Sequence, residues 1–267
     1  MTANWQATLS RAMRVAEEAA RAAGDHILGE FRRLDPAEVE EKGPNDFVTR
    51  VDHEAERLIV DIIRKEFPDH RILAEESGGN IHNAGGLWLV DPLDGTTNFI
   101  HGFPVFCVSV AFALEGRSEV GVIYDPVHSE TFSCKRDEGM WLNGAPVSVS
   151  QVTDLSRAYI GTGFASRYKG ELGPWLGQLN DVCAAVSGIR KAGAAALDLA
   201  YVACGRFDAF WEPHLSPWDM AAGTLMVEAA GGRISDESGN PWKLGSHGII
   251  AANADLHAPL LALLKRN

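Results

Sequence analysis

The chain is short of cysteine, of positive charge and of long apolar runs. Its four cysteines, Cys107, Cys134, Cys183 and Cys204, are scattered with no CxxC spacing. That argues against a zinc site or a disulfide framework and for reduced, mostly buried thiols. Lys and Arg number 24 against 36 Asp and Glu, a formal net charge of -12. Such a balance disfavours non-specific binding to nucleic acid or an anionic membrane, which needs a cationic face. No stretch approaches the ~20 apolar residues of a membrane span. The opening MTANWQATLSRAMRVAEEAARAAG interleaves arginines and glutamates with its apolar residues, so it lacks the apolar core of a signal peptide. Walker A and G-x-S-x-G spacings are missing, and the glycine pairs at 78–79, 85–86 and 231–232 read as turns. The nine histidines, His82 among them, form no ligand-spaced pair and read as surface or structural. The expectation is a soluble, cytoplasmic protein with no direct nucleic-acid partner and no membrane partner.

What is present is ordinary globular patterning. Trp5, Leu9, Met13, Ala16, Ala20, Ala23, Ile27 and Phe31 recur every three or four residues, which predicts an amphipathic helix. A polar segment, Lys42-Gly43-Pro44-Asn45-Asp46, is too short and mixed for a domain linker. Residues 52–67 predict a second helix closed by Pro68, and 71–74 a strand running into Glu75-Glu76. From 87 to about 149, apolar runs separated by turn signals such as Asn143-Gly144 predict an antiparallel meander. In the second half, helices are expected near 171–186, 194–204, 218–230 and 258–265, with short strands near 158–162, 207–211, 233–235 and 248–252. The fold class is mixed α+β in layers. No Pro/Gly/Ser-rich stretch divides the chain, so a single domain over 1–267 is expected, its halves roughly 1–150 and 151–267 with the site between them.

The chemistry concentrates in LWLVDPLDGTTNF, residues 87–99. An apolar strand over 87–90 ends at Asp91, where the backbone turns at Pro92, and Asp94 follows three residues on; two carboxylates so close repel unless a cation or proton lies between them. Hard cations such as Mg²⁺ take oxygen ligands, using one or two carboxylates plus substrate phosphate. Gly95-Thr96-Thr97-Asn98 can start a helix whose N–H groups favour an anion. The same residues also fit a plain Asx-rich turn. Glu75 and Glu76 read as solvated strand-end glutamates or as metal ligands. Asp219, in PWDMAAG, and Asp52 each lie near a helix start, where capping alone accounts for an aspartate. Glu212 ends an apolar run as an exposed carboxylate or an acceptor for substrate hydroxyls, and Lys42 reads most simply as a loop lysine.

Taken together, NDFVTRVD (45–52), AEES (74–77), DPLDGTTNF (91–99), PWDMAAGTLMVEAAGG (217–232) and IIAAN (249–253) resemble the inositol monophosphatase family across nearly the whole chain. The resemblance implies a layered αβαβα sandwich of the inositol monophosphatase and fructose-1,6-bisphosphatase type. It implies a homodimeric, lithium-sensitive phosphomonoesterase that uses two or three Mg²⁺ ions. Carried over residue by residue, Glu75, Asp91, the Leu93 carbonyl, Asp94 and Asp219 bind metal, with Asp91 bridging. Gly95 and Thr96 hold phosphate through backbone N–H groups. Thr96, hydrogen-bonded to Asp52, and Glu75 position and activate the attacking water, and Lys42 lies near the metals. Substrate hydroxyls meet Asp94, Gly193, Ala194, Ala195, Glu212 and Asp219. Ala194 stands where animal-type members carry threonine, and Thr162-Gly163-Phe164 follows the bacterial pattern. The implied reaction is hydrolysis of myo-inositol 1-phosphate. Histidinol phosphate, fructose 1,6-bisphosphate and a nucleotide phosphate are alternative substrates, and a non-catalytic role as a partner protein in transcription or ribosome biogenesis is the other reading.

Overall fold

The expected opening helix is α1 (Ala3–Glu30). Leu9, Ala12, Val15, Ala16, Ala19, Ala20, Ala23 and Ile27 are buried along it, one stripe of a 3.6-residue period. In this computed structural model the described residues are 3–43, 45–81, 85–164 and 172–265. His82, Pro44 and the expected helix start at 171 lie outside them. After α1 comes a hairpin, β1 (Val39–Gly43) and β2 (Asp46–Thr49), paired antiparallel. It stands where the sequence reads only as a polar segment, because VEEKG is charged and mostly exposed. Then α2 (Arg50–Glu66) packs beside α1, burying Val51, Ala55, Ile59 and Ile63.

These helices cover one face of a seven-stranded sheet. Its strands are β3 (Arg71–Ala74), β4 (Gly86–Asp94), β5 (Cys107–Leu114), β6 (Arg117–Asp125), β7 (Glu130–Lys135), β8 (Gly139–Leu142) and β9 (Ala145–Val147), in spatial order. The pairs from β4 to β9 are antiparallel, the expected meander, whereas β3 and β4 run parallel. Trp88, Val90, Val110, Phe112 and Val122 face α1 and α2. Leu87, Leu89, Ala111, Ala113 and Ile123 face the opposite way. Both faces are buried, which is why β4 and β5 read as continuous apolar runs rather than alternating ones.

On that second face lie α5 (Ala195–Ala203) and α6 (Pro217–Ala229), sharing a core with both sheets. A second sheet follows in the order β11 (Gly188–Arg190), β10 (Tyr159–Thr162), β12 (Ala209–Glu212), β14 (Ile249–Ala252) and β13 (Arg233–Ser235). Its outer face packs on α4 (Leu172–Ala185) and α7 (His257–Leu264) through Ile160, Trp211, Ile250 and Leu260. The layers are therefore α1/α2, the seven-stranded sheet, α5/α6, the five-stranded sheet and α4/α7: the αβαβα sandwich expected. All four cysteines are free, but only Cys107 and Cys134 are buried, with Cys183 exposed. Among the described residues no helix is long and apolar enough to cross a membrane.

Candidate active site

The site begins with strand register. Because β3 and β4 are parallel with Ala74 opposite Val90, the residues that follow, Glu75 and Asp91, emerge side by side. The sequence suggests that β4 stops at Asp91. Instead it runs on to Asp94, with a register shift between Asp91 (opposite Ser109) and Asp94 (opposite Cys107). Pro92 lies in that irregularity, where its missing N–H costs no ladder bond. The Leu93 N–H donates to Asp91 Oδ1 at 3.0 Å, so the Asx turn is real, and it holds Asp91 in place. Gly95 follows at φ 97°, and a Cβ there would lie 2.9 Å from the Val105 carbonyl oxygen. Only glycine fits. The chain then enters the short helix α3 (Thr96–Ile100).

Behind α3 stands Asp52, the third residue of α2. Its Oδ2 accepts from the Thr49 N–H at 2.8 Å and the Thr49 hydroxyl at 2.6 Å, a capping box. Its Oδ1 accepts from Thr96 Oγ1 at 2.9 Å. Capping and site-building are thus done by opposite oxygens of one carboxylate. One turn on, buried Glu56 accepts from the Glu76 and Ser77 N–H groups at 2.8 and 2.9 Å and fixes the turn that presents Glu75. Lys42, on β1, lies 3.4 Å from Glu75 and 2.9 Å from Glu76. Glu76 is not the solvated glutamate that the sequence suggests; its side chain is 3% exposed.

Asp94 ties the first sheet to α5. That helix starts at Ala194, whose side chain cannot cap it. The cap comes instead from Asp94 Oδ2, which accepts from the Ala196 N–H at 2.7 Å and from Cys107 Sγ at 3.7 Å. Asp219, in the first turn of α6, accepts the Ser216 N–H at 2.7 Å. Asn98 Nδ2 donates to the carbonyls of Val105 (2.7 Å), Ala192 (2.9 Å) and Gly193 (3.3 Å), joining α3 to the segment before α5. Gly163 passes so close to Glu212 that a Cβ would run into the carboxylate.

One cavity gathers these groups. Of the residues the resemblance singles out, Glu75, Asp91, Leu93, Asp94, Gly95, Thr96, Gly193, Ala195, Glu212 and Asp219 line it. Asp52 stands behind it through Thr96, and Lys42 through Glu75. Ala194 is 1% exposed and is not part of the lining. Asp46, Asn98 and Gly163 also line the cavity; the sequence reading quotes them within motifs but gives their own positions no site role. It does not name Lys191, another lining residue, or Glu56 behind the cavity, whose one sequence signal is its place four residues from Asp52 on the same helix face.

The electrostatics define what the cavity takes. Burial pushes the Asp91 carboxyl well above its usual range, and Glu75, Asp94 and Asp219 push it further. Burial lifts Asp94 to about 6 against the pull of the α5 N–H groups, and Asp52 to about 6 against its threonine donors. Glu75 is raised by burial despite Lys42. For Lys42 burial opposes charge, but Glu75 and Glu76 outweigh it and hold the ammonium above its usual value. As the side chains stand, no three His, Cys, Asp or Glu groups among the described residues close around one ion; the carboxylates instead crowd Asp91. Carboxylates so crowded call for positive charge, and an all-oxygen donor set suits a hard divalent cation.

Fold and cleft define a layered α+β protein with an acidic, oxygen-lined site suited to a hard cation. The sequence pattern of the inositol monophosphatase family matches residues 8–267. The chain is 46% identical to the Nus factor SuhB of Pseudomonas aeruginosa over 258 residues, 95% of each chain. It is 40% identical to an inositol-1-monophosphatase of Mesorhizobium japonicum over 258 residues, 96% of this chain and 97% of the relative. The crystal structure of the extragenic suppressor protein suhB from Bartonella henselae superposes with a TM-score of 0.90 at 41% identity, covering 96% of this chain and 98% of that one. The chain belongs to the inositol monophosphatase family. Phosphatase activity, magnesium use and lithium sensitivity are properties of that family.

Proposed function

We propose that the chain is a magnesium-dependent, lithium-sensitive phosphomonoesterase that hydrolyses myo-inositol 1-phosphate to inositol and phosphate. The carrying observation is the Thr96–Asp52 hydrogen bond at 2.9 Å, in a cavity whose floor is Glu75, Asp91, Asp94 and Asp219. In this reading those four carboxylates and the Leu93 carbonyl hold two or three Mg²⁺ ions. Bound there, magnesium supplies charge neutralisation for the phosphoryl oxygens and an acidified water.

The chain's own groups do the rest. Gly95 and Thr96 hold the phosphate with backbone N–H groups. Asp52, ionised above about pH 6, takes the Thr96 hydroxyl proton as a hydrogen bond. The Thr96 oxygen is then turned to accept from the attacking water, with Glu75 as the second acceptor. Water attacks phosphorus in line and gives a proton to Glu75, the ester P–O bond breaks, and the leaving alkoxide takes up one proton from solvent to become the alcohol. Gly193, Ala195, Glu212, Asp219 and Asp94 meet the substrate hydroxyls; buried Ala194 contributes its backbone, and Lys42 acts by holding Glu75. The protein is read as one domain over 1–267, cytoplasmic and homodimeric.

Phosphate release from a panel of monoesters, with and without Mg²⁺ and Li⁺, tests this. Inositol 1-phosphate is expected to lead, with turnover lost without Mg²⁺ and inhibited by Li⁺. Preference for histidinol phosphate, fructose 1,6-bisphosphate or a nucleotide phosphate overturns the substrate, and metal-independent turnover overturns the mechanism. The 46% identity to a protein named as a Nus factor favours a second reading, a protein partner in transcription. Complementation of a deletion strain with Asp91→Asn separates the two: rescue by the variant assigns the phenotype to protein contact, and failure by a folded variant assigns it to catalysis.

A further inference from the structure

Between the Gly95–Thr96 nest and the backbone at Gly193–Ala195 stands one neutral side chain, Asn98, half-buried and lining the cavity. Its own backbone is fixed in α3, where its carbonyl accepts from the Phe103 N–H at 2.8 Å. The side-chain amide carries two hydrogens, and three carbonyl oxygens lie within reach: Val105 at 2.7 Å, Ala192 at 2.9 Å and Gly193 at 3.3 Å. The two short bonds take one hydrogen each, so the Gly193 carbonyl shares a donor and keeps capacity to accept another. Val105 belongs to the nest, since its carbonyl oxygen is the atom against which Gly95 packs. Ala192 and Gly193 come from 94 and 95 residues further along the chain. Gly193, at φ 90°, approaches so closely that a Cβ there would lie 3.1 Å from Asn98 Nδ2. The far end of the same segment is tied by the Ala196 N–H to Asp94. Gly193–Ala195 is thus slung between two clamps, and of the two the Asn98 clamp is uncharged, indifferent to pH and to any cation on the carboxylates.

We propose that Asn98 is a positioning residue that sets the spacing between the phosphate nest and the Gly193–Ala195 backbone, and so lets the enzyme select an alcohol by its hydroxyls as well as by its phosphate. The inference rests on the phosphomonoesterase reading and deepens it. A phosphate held at one end of the cavity leaves the alcohol's hydroxyls to meet their partners at a fixed distance. Hydrogen bonds weaken steeply with length and angle, so a wall displaced by about 1 Å loses them. The residue that fixes this spacing must donate toward two carbonyls at once without adding charge beside the crowded carboxylates. An amide does both, whereas a carboxylate of the same shape would repel all three oxygens.

The test uses a matched pair of monoesters, myo-inositol 1-phosphate and cyclohexyl phosphate, which share the six-membered ring and differ in the hydroxyls. The readout is the ratio of their kcat/KM values in wild type, Asn98→Ala and the isosteric Asn98→Asp, each shown to be folded by circular dichroism. Asn98→Ala is expected to lower the ratio roughly 10-fold, the worth of about one hydrogen bond, and Asn98→Asp further. The loss should appear in KM for the inositol ester, because the hydroxyls lie away from phosphorus, with cyclohexyl phosphate turned over within a few-fold of wild type. A merely structural role would lower both esters alike. If Asn98→Ala does not fold, Asn98→Asp, which leaves the packing volume unchanged, decides alone. A wild-type enzyme that does not prefer the inositol ester, or a ratio within a factor of about two of wild type in the folded variants, overturns the inference. Calorimetric binding of the same two esters gives the ratio independently of turnover. An Asn98-dependent binding preference without hydrolysis sinks only the phosphatase reading; hydrolysis with an unaltered ratio sinks only the assignment of Asn98.

Discussion

Thr96→Val is nearly isosteric and removes a single hydroxyl, the donor to Asp52 Oδ1 at 2.9 Å. Hydrogen bonds to charged groups contribute about 1.5–3 kcal/mol. Thr96 is partly exposed and Asp52 keeps both Thr49 donors, so the stability loss is expected at the low end, about 1.5 kcal/mol. The catalytic loss is expected to be larger, because in the proposed mechanism the hydroxyl links the attacking water to Asp52: about 10²- to 10⁴-fold in kcat, the usual range for general-base assistance. Asp52→Asn breaks the same link, since an amide offers one acceptor and one donor where the carboxylate meets three donors. The double variant is therefore expected to be no slower than the worse single variant. The acid limb of the wild-type rate profile is expected near pH 6, rate falling as Asp52 protonates. The assay is steady-state phosphate release across pH, with urea denaturation to separate folding from chemistry. Full additivity of the two losses, or Thr96→Val within a few-fold of wild type, refutes the relay.

Three further perturbations follow from the same geometry. Asp198 is buried with neither oxygen hydrogen-bonded among the described residues, and burial, with Glu212 and Asp94, raises its carboxyl well above the usual range. Its contribution to stability is thus complete below the unfolded value of about 4 and is lost as pH rises toward the folded value. Urea denaturation should show Asp198→Asn gaining on wild type from pH 4 to pH 8; a difference that does not vary with pH contradicts this. Gly163→Ala drives a Cβ into the Glu212 carboxylate and is expected to lower kcat/KM about 10²-fold by displacing it; unchanged selectivity across the monoester panel removes Glu212 from the site. Asn98→Ala leaves the Val105 and Ala192 carbonyls without their donor and is expected to cost about 2 kcal/mol in thermal or urea unfolding; a loss within error means water replaces both bonds.

The helices with a clear 3.6-residue stripe and the meander from β4 to β7 were legible because burial on one or both faces writes itself into hydrophobic spacing. The β1–β2 hairpin was not, since β1 is charged and mostly exposed and β2 is only four residues long, and β4 looked finished at Pro92 because a proline inside a bulge resembles a stop. Asp91, Asp94, Thr96 and Asp219 were recognisable as a set through their company in the motifs. Their supports were not. Asn98 acts across 94 residues, and Asp94 caps a helix 102 residues away; neither relation leaves a local pattern. Glu75 and Asp91 meet only because β3 and β4 are parallel, and that pairing is fixed by the sheet rather than by either strand.

The central claim is that the carboxylates around Asp91 hold magnesium for phosphate ester hydrolysis. It is tested most directly by phosphate release from myo-inositol 1-phosphate under Mg²⁺ titration, comparing wild type with Asp91→Asn and verifying folding of the variant by circular dichroism. The account predicts saturable Mg²⁺ activation of wild type and no activity above background for a folded Asp91→Asn protein at any Mg²⁺ concentration. Turnover by that variant at wild-type Mg²⁺ response would contradict it.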